Sequence, residues 1–181
     1  MDGILIENEI VDDARQAKKD LLMFKDDFGK AYDSVDWVYL DEVMCKMNFP
    51  ELWRSWIMEC VTTTTTSVLV NGCPTDEFCF ECGMRQGGPL CPFLFLLAAE
   101  GLNVMMSAMV SNNIFTLYSI GAQSAVSVSH LQFADDTLLV GVKSWENVRA
   151  MKMVLLLFES ISGLKINFNK SMLFGVNIHD S

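Results

Sequence analysis

Two acids stand side by side at Asp135 and Asp136, between the apolar runs Val126–Phe133 and Thr137–Val142. A third acid, Asp27, closes the apolar segment that begins at Leu22. Apolar runs around a short acidic step read as a β-hairpin with carboxylates at its tip. Paired acids in that place are most often a solvated turn. The chemical alternative is that Asp27 and Asp135 converge from adjacent strands, with Asp136 beside them, to hold two Mg²⁺ ions. Magnesium takes hard oxygen ligands and keeps substrate phosphates in its shell. Two such ions roughly 4 Å apart activate an attacking hydroxyl and stabilise the leaving oxygen in phosphoryl transfer. Like charges held this close are costly without a cation, and a metal would relieve them.

The run Gly83-Met84-Arg85-Gln86-Gly87-Gly88-Pro89-Leu90 reads as a loop entering a helix, with Pro89 in the first turn. It is not a Walker phosphate loop, because the Lys-Ser/Thr pair is missing. The cysteines are Cys45, Cys60, Cys73, Cys79, Cys82 and Cys91, and the N-terminus carries Asp2, Glu7 and Glu9 rather than a basic start. No secretory signal is expected, so the thiols read as reduced, in a nuclear or cytoplasmic protein. Cys79-x-x-Cys82 has zinc-ligand spacing and, with Cys73 and Cys91, offers a zinc-binding module as a reading of another class. No second close pair accompanies it.

The elements that would position these residues follow from periodicity. Residues 2–20 read as a helix ending near Lys18 and Lys19, and Leu22–Asp27 as a short strand. Leu40, Val43, Met44 and Met47 recur at helical spacing before Pro50, and Leu52, Trp53, Trp56, Ile57 and Cys60 repeat the pattern. Ser67–Val70 and Glu77–Glu81 look like strands around a turn at Asn71-Gly72. An apolar helix is expected from Pro89 to about Met109. Ser144 can cap a further helix with Val148, Met151, Leu155 and Phe158 on one face, and Gly163 suits its end. Lys165–Phe168 and Met172–Val176 finish as strands. No uninterrupted apolar run reaches the roughly 18 residues of a membrane span. The order predicts one α+β domain over residues 1–181, with an antiparallel sheet and helices packed on one face.

Taken together, the motifs carry a resemblance. Residues 25–37, Lys25-Asp26-Asp27-Phe28-Gly29-Lys30-Ala31-Tyr32-Asp33-Ser34-Val35-Asp36-Trp37, resemble the first palm motif of LINE-type, non-LTR reverse transcriptases. Gly83 to Pro92 resembles their second motif, and Phe133-Ala134-Asp135-Asp136 their catalytic aspartate pair. Residues 162–171, from Ser162 to Ser171, are similar to the motif that follows. These four in order span nearly the whole chain, and plant LINE elements resemble it most. The resemblance implies a ferredoxin-like palm and RNA-directed DNA synthesis, with nucleotidyl transfer from a dNTP to a primer 3′-OH. Asp27, Asp135 and Asp136 would be the catalytic residues and the ligands of Mg²⁺, for which Mn²⁺ could substitute. Tyr32 would screen the sugar 2′-position, Gln86 and Gly87 would touch nucleotide and template, and Arg85 would meet phosphate. Lys170 matches a lysine sometimes proposed to protonate pyrophosphate. Without the family, Tyr32 is equally a core aromatic and Arg85 equally a surface arginine, while Lys170 reads first as a solvent-facing lysine.

The chain departs from the family at Asp26, Gly88 and Cys91, where an apolar residue, an acid and a serine are usual. A carboxylate at 26 costs a few kcal/mol if buried unpaired, and the acid missing at 88 could have capped the helix, an effect of roughly 1 kcal/mol. The fingers and thumb of the family would lie largely outside this sequence. Acids outnumber bases 23 to 13, for a net charge of −10. RNA template, DNA primer and dNTP are the partners expected of a complete enzyme, whereas this acidic fragment should bind nucleic acid weakly or not at all. No membrane partner is expected. A folded but catalytically inactive palm remnant is the second reading.

Overall fold

Helix α1 (Asp2–Ala17) stops where Lys18 takes a φ of 52°, in the left-handed region. The chain then enters strand β1 (Leu21–Gly29). The computed structural model describes residues 2–29, 31–85, 87–121, 126–133 and 136–177. Helix α2 (Trp37–Lys46) starts on Asp36, whose carboxylate accepts the N–H of Tyr39 at 2.8 Å, and α3 (Glu51–Thr62) follows Pro50. A narrow ribbon comes next, formed by β2 (Thr65–Thr66), β3 (Leu69–Val70), β4 (Cys73–Pro74) and β5 (Phe78–Cys79). In it β2 pairs with β5 and β3 with β4. It reverses at Asn71-Gly72, with φ of 51° and 83°, the two positive values a tight two-residue hairpin requires.

Helix α4 (Cys91–Ser111) begins later than expected: Leu90 is its N-cap and Pro92, not Pro89, lies in its first turn. Its 21 residues are long and apolar enough to cross a membrane by length and composition, a property that Glu100 and Asn103 conceal in the sequence. In the fold it is a core helix, burying Leu94, Ala98, Leu102, Met106 and Met109 along one side. Strand β6 (Tyr118–Ile120), absent from the sequence expectation, pairs with β7 (Val126–Val128). The expected run 126–133 therefore breaks at Ser129, whose carbonyl accepts the N–H of Val140 at 2.8 Å. Strands β8 (His130–Phe133) and β9 (Asp136–Val142) form the acidic hairpin. Helix α5 (Trp145–Ser162) is capped by Ser144 and ended by Gly163 at φ 75°, as its sequence predicts. Strands β10 (Lys165–Ile166) and β11 (Met172–Val176) close the chain.

The main sheet runs β10-β1-β9-β8, with β11 also on β1, and every pairing is antiparallel. Alternation along β1 divides its side chains between two cores. Leu22 and Phe28, with Leu139 of β9, pack against α2, α3, α4 and α5 through Leu40, Ile57, Phe95 and Phe158. Leu21 and Met23, with Leu138 and Val140, meet Ile10 and Ala14 of α1 and Tyr118 of β6. The expectation of helices on one face is thus corrected: α1 covers the other. The reason is its four-residue apolar spacing, Ile10 to Ala14, which matches one face of the strand pair. Asp13 fixes this arrangement, accepting hydrogen bonds from the Tyr118 hydroxyl at 2.7 Å, the Gly121 N–H at 3.0 Å and Lys19 Nζ at 3.2 Å.

Candidate active site

Strand β1 carries its two acids at the end furthest from α1. Pairing with β9 sets Asp27 directly opposite Asp136, and Asp26 opposite Thr137. Directly opposed residues of an antiparallel pair lie on one face of the sheet. The backbone therefore brings Asp27 and Asp136, remote in sequence, to adjacent positions beside the tip of the β8–β9 hairpin. Asp135, Gln86 and the side chain of Asp27 lie outside the described residues. Asp136 is exposed.

The segment after β1 is clamped by the second motif. The Gly83 N–H donates to the Val35 carbonyl at 2.8 Å and the Met84 N–H to the Tyr32 carbonyl at 2.6 Å. Trp37 Nε1 donates to the Gly83 carbonyl at 2.6 Å. Gly83 is required here: its φ is 78°, and a Cβ would stand 2.5 Å from the carbonyl carbon and oxygen of Asp33. A third motif joins the clamp where the Asp36 N–H donates to the Ser162 carbonyl at 2.8 Å. Three motifs separated in sequence thus share one backbone junction. Sequence reasoning gave Trp37 and Gly83 no structural role; the aromatic next to a capping acid was the available signal.

Tyr32 leaves this junction half-buried, its ring 5.3 Å from that of Phe95 in α4. The aromatic packs on the core and keeps one side open. The loop before α4 turns through Gly87 at φ 84°. It is closed by the Gly88 N–H to the Arg85 carbonyl at 3.0 Å and the Cys91 thiol to the same carbonyl at 2.7 Å. Cys91 thereby serves the loop as a hydrogen-bond donor, the part a serine hydroxyl would play. Arg85 is exposed and lines a shallow hollow with Gly87, Cys60 and Thr64.

Asp26 is buried, 1% exposed, on the face that holds the helices. Its carboxylate accepts a hydrogen bond from the Ser171 hydroxyl, so the acid at 26 is buried but not unpaired. Opposite it, Thr137 is fully buried and its Oγ1 finds no hydrogen-bond partner among the described residues. Lys170 stands one residue before Ser171 and is exposed. In β8, burial pushes the His130 imidazole below its ordinary range, and Glu100 of α4 pulls it back in part.

Among the described residues no group of three or more His, Cys, Asp or Glu side chains could hold a metal ion. All six cysteines are free thiols. Cys91 is buried in the core while Cys73, Cys79 and Cys82 are exposed, so the zinc-module reading loses its ligand set. Hard carboxylate oxygens suit magnesium better than they suit zinc, which favours thiolate and imidazole.

Residues 2–178 match the family model described as reverse transcriptase (RNA-dependent DNA polymerase). A retrovirus-related Pol polyprotein from the type-1 retrotransposable element R2 of Popillia japonica is 25% identical over 97% of the chain. The corresponding polyprotein of the type-2 element R2DM of Drosophila melanogaster is 26% identical over 83%. The chain spans 24% and 13% of those relatives' lengths. In three dimensions it is similar to the telomerase of Candida tropicalis, solved in complex with a fragment of telomeric RNA. The TM-score is 0.69 at 14% identity, covering 96% of this chain and 29% of that one. The apo form of that telomerase truncated from the C-terminal domain gives 0.67 over 98% of this chain and 35% of its own. The chain belongs to the reverse transcriptase (RNA-dependent DNA polymerase) family, and it is similar over most of its length to retroelement Pol polyproteins.

Proposed function

We propose that residues 1–181 are the palm portion of a LINE-type, non-LTR reverse transcriptase, which extends a primer 3′-OH with dNTPs on an RNA template. The observation that carries this reading is the register of β1 and β9, which lays Asp27 against Asp136 at the hairpin that includes Asp135. The sheet supports it as well. Its strand–helix–strand–strand–helix–strand order, with β10 and β11 beside β1 and β9 between β1 and β8, fits a ferredoxin-like palm. The plant affinity is carried by the motifs alone, and the relatives above come from two insects.

Asp27, Asp135 and Asp136 would hold Mg²⁺, which when bound supplies the charge that activates the primer hydroxyl and stabilises the pyrophosphate oxygen. The remaining work is positioning. The Gly83–Val35 and Met84–Tyr32 bonds hold Tyr32 and the Arg85–Gly87 loop in fixed relation. Tyr32, braced on Phe95, would close the space beside the sugar 2′-carbon, and Arg85 would face phosphate. Exposed apolar residues on the helices, including Val38, Trp56, Phe93, Leu96 and Val104, suit packing against further parts of a polymerase. With a net charge of −10, the chain by itself should bind template and primer weakly.

Primer extension on an RNA template with Mg²⁺ tests the reading, comparing the 181-residue chain with a chimera carrying fingers and thumb from an active relative. The chimera should extend, Asp135→Asn should abolish extension and weaken Mn²⁺ binding, and the bare chain should be silent. A silent chimera with wild-type Asp27 and Asp135 favours the inactive remnant instead.

A further inference from the structure

Strand β1 has a gap on its outer edge. Strand β10 pairs with Phe28 and Gly29, and β11 pairs with Leu21 through Lys25. Neither pairs with Asp26 or Asp27. The segment Asn167–Ser171 fills the gap as a tight turn, with the N–H groups of Lys170 and Ser171 both donating to the Asn167 carbonyl, at 2.8 and 2.9 Å. This turn is what shortens β10 relative to the expected strand Lys165–Phe168.

A side-chain bond ties the turn to the sheet across 145 positions of sequence. The Ser171 hydroxyl lies between Asp26 Oδ1 and the Asn167 carbonyl, the latter at 2.8 Å. Asp26 is almost wholly buried, and a bond to a buried carboxylate is stronger than one between neutral groups. Phe168, Asn169 and Lys170 are exposed, and the Phe168 ring lies 6.5 Å from that of Phe24 in β1. A largely exposed turn opens easily unless it is anchored.

We infer that Asp26 is a positioning residue, whose bond to Ser171 fixes the Asn167–Ser171 turn and so sets where Lys170 stands beside the Asp27 end of β1. The inference rests on the proposed function only in giving Lys170 a task there. The anchor itself is a property of the fold. It also gives the acid at position 26 a use on a strand face otherwise apolar.

The test uses the 181-residue chain. Amide hydrogen exchange is read at Lys170 and Ser171, and the acetylation rate of Lys170 is measured with Lys152 as internal control, for Asp26→Val, Asp26→Asn and Ser171→Ala. Valine removes the acceptor, so exchange in the turn should rise about tenfold or more, and Lys170 should change its labelling rate while Lys152 does not. Asparagine keeps an acceptor oxygen and should restore protection to within about threefold. Ser171→Ala should match Asp26→Val, and the double variant should add little. Should Asp26→Val fail to fold, Ser171→Ala carries the same comparison. Unchanged exchange and labelling in both Asp26→Val and Ser171→Ala would overturn the inference. No DNA synthesis enters the readout, so a silent polymerase leaves the result intact.

Discussion

Replacing Gly83 by alanine should be among the most damaging single-methyl changes in this protein. At φ 78° a non-glycine residue costs about 1–2 kcal/mol for backbone conformation alone. The added Cβ would also meet Asp33 backbone at 2.5 Å, and backbone cannot rotate away as a side-chain end can. Relief requires the 82–84 segment to move off the 32–35 segment. That motion breaks the Gly83–Val35, Met84–Tyr32 and Trp37–Gly83 bonds, each worth about 1 kcal/mol net. The expected loss is about 4–5 kcal/mol, a large part of the roughly 5–15 kcal/mol that holds a domain folded. Gly72 is the control, since its φ is 83° and a Cβ there meets nothing within 4 Å. Gly72→Ala should therefore cost only about 1–2 kcal/mol. Urea unfolding followed by tryptophan fluorescence reads both, with Trp37 as a reporter within the clamp. Equal losses for the two variants, within about 1 kcal/mol, would refute the reasoning that the motifs are joined by backbone packing.

Three further expectations concern other parts of the fold. Asn147 is buried and binds Thr116 N–H at 2.9 Å, the Thr116 carbonyl at 2.9 Å and the Val142 carbonyl at 2.7 Å. Asn147→Ala should thus cost about 2–4 kcal/mol in a thermal or urea melt, and a near-neutral result would show that water replaces it freely. The Tyr118 hydroxyl, followed by the Gly121 N–H, holds the Asp13 carboxyl below its ordinary 3.8. A lowered folded-state value means stability present above that pH and lost as pH falls through it, so Asp13→Asn should flatten the acid limb of a urea-midpoint profile, and an unchanged limb would exclude Asp13 as its source. At position 88 an added Cβ would lie 3.0 Å from Cys91 Sγ and 3.1 Å from the Arg85 carbonyl. Gly88→Asp should destabilise on its own and be relieved by Cys91→Ser, with a coupling above about 0.5 kcal/mol in a double-mutant cycle, whereas additivity would show the two sites independent.

Local signals were legible because they depend on residues a turn apart. Ser144 and Gly163 bound α5 as read, Asn71-Gly72 turns the ribbon, and the apolar runs around Asp135-Asp136 mark the hairpin strands. The proposed chemistry was also legible in the motifs, since hard carboxylate oxygens in paired positions suit a phosphate-handling metal site. Other features depend on which surfaces meet. The sequence expectation started α4 at Pro89, and packing of Cys91, Leu94 and Phe95 into the core goes with a start at Cys91. The run 126–133 had one hydrophobic pattern but two partners, and only pairing with β6 revealed the break at Ser129. Residues 2–20 gave an amphipathic helix without saying which sheet face it would cover. Asp26 looked like an acid in an apolar place, and its partner Ser171 lies 145 residues away, where no sequence spacing points to it. Chain chemistry is written residue by residue, but strand register and buried partnership exist only between segments that folding brings together. Tertiary structure therefore decided the placement of Asp27 opposite Asp136 and the bond that holds Asp26.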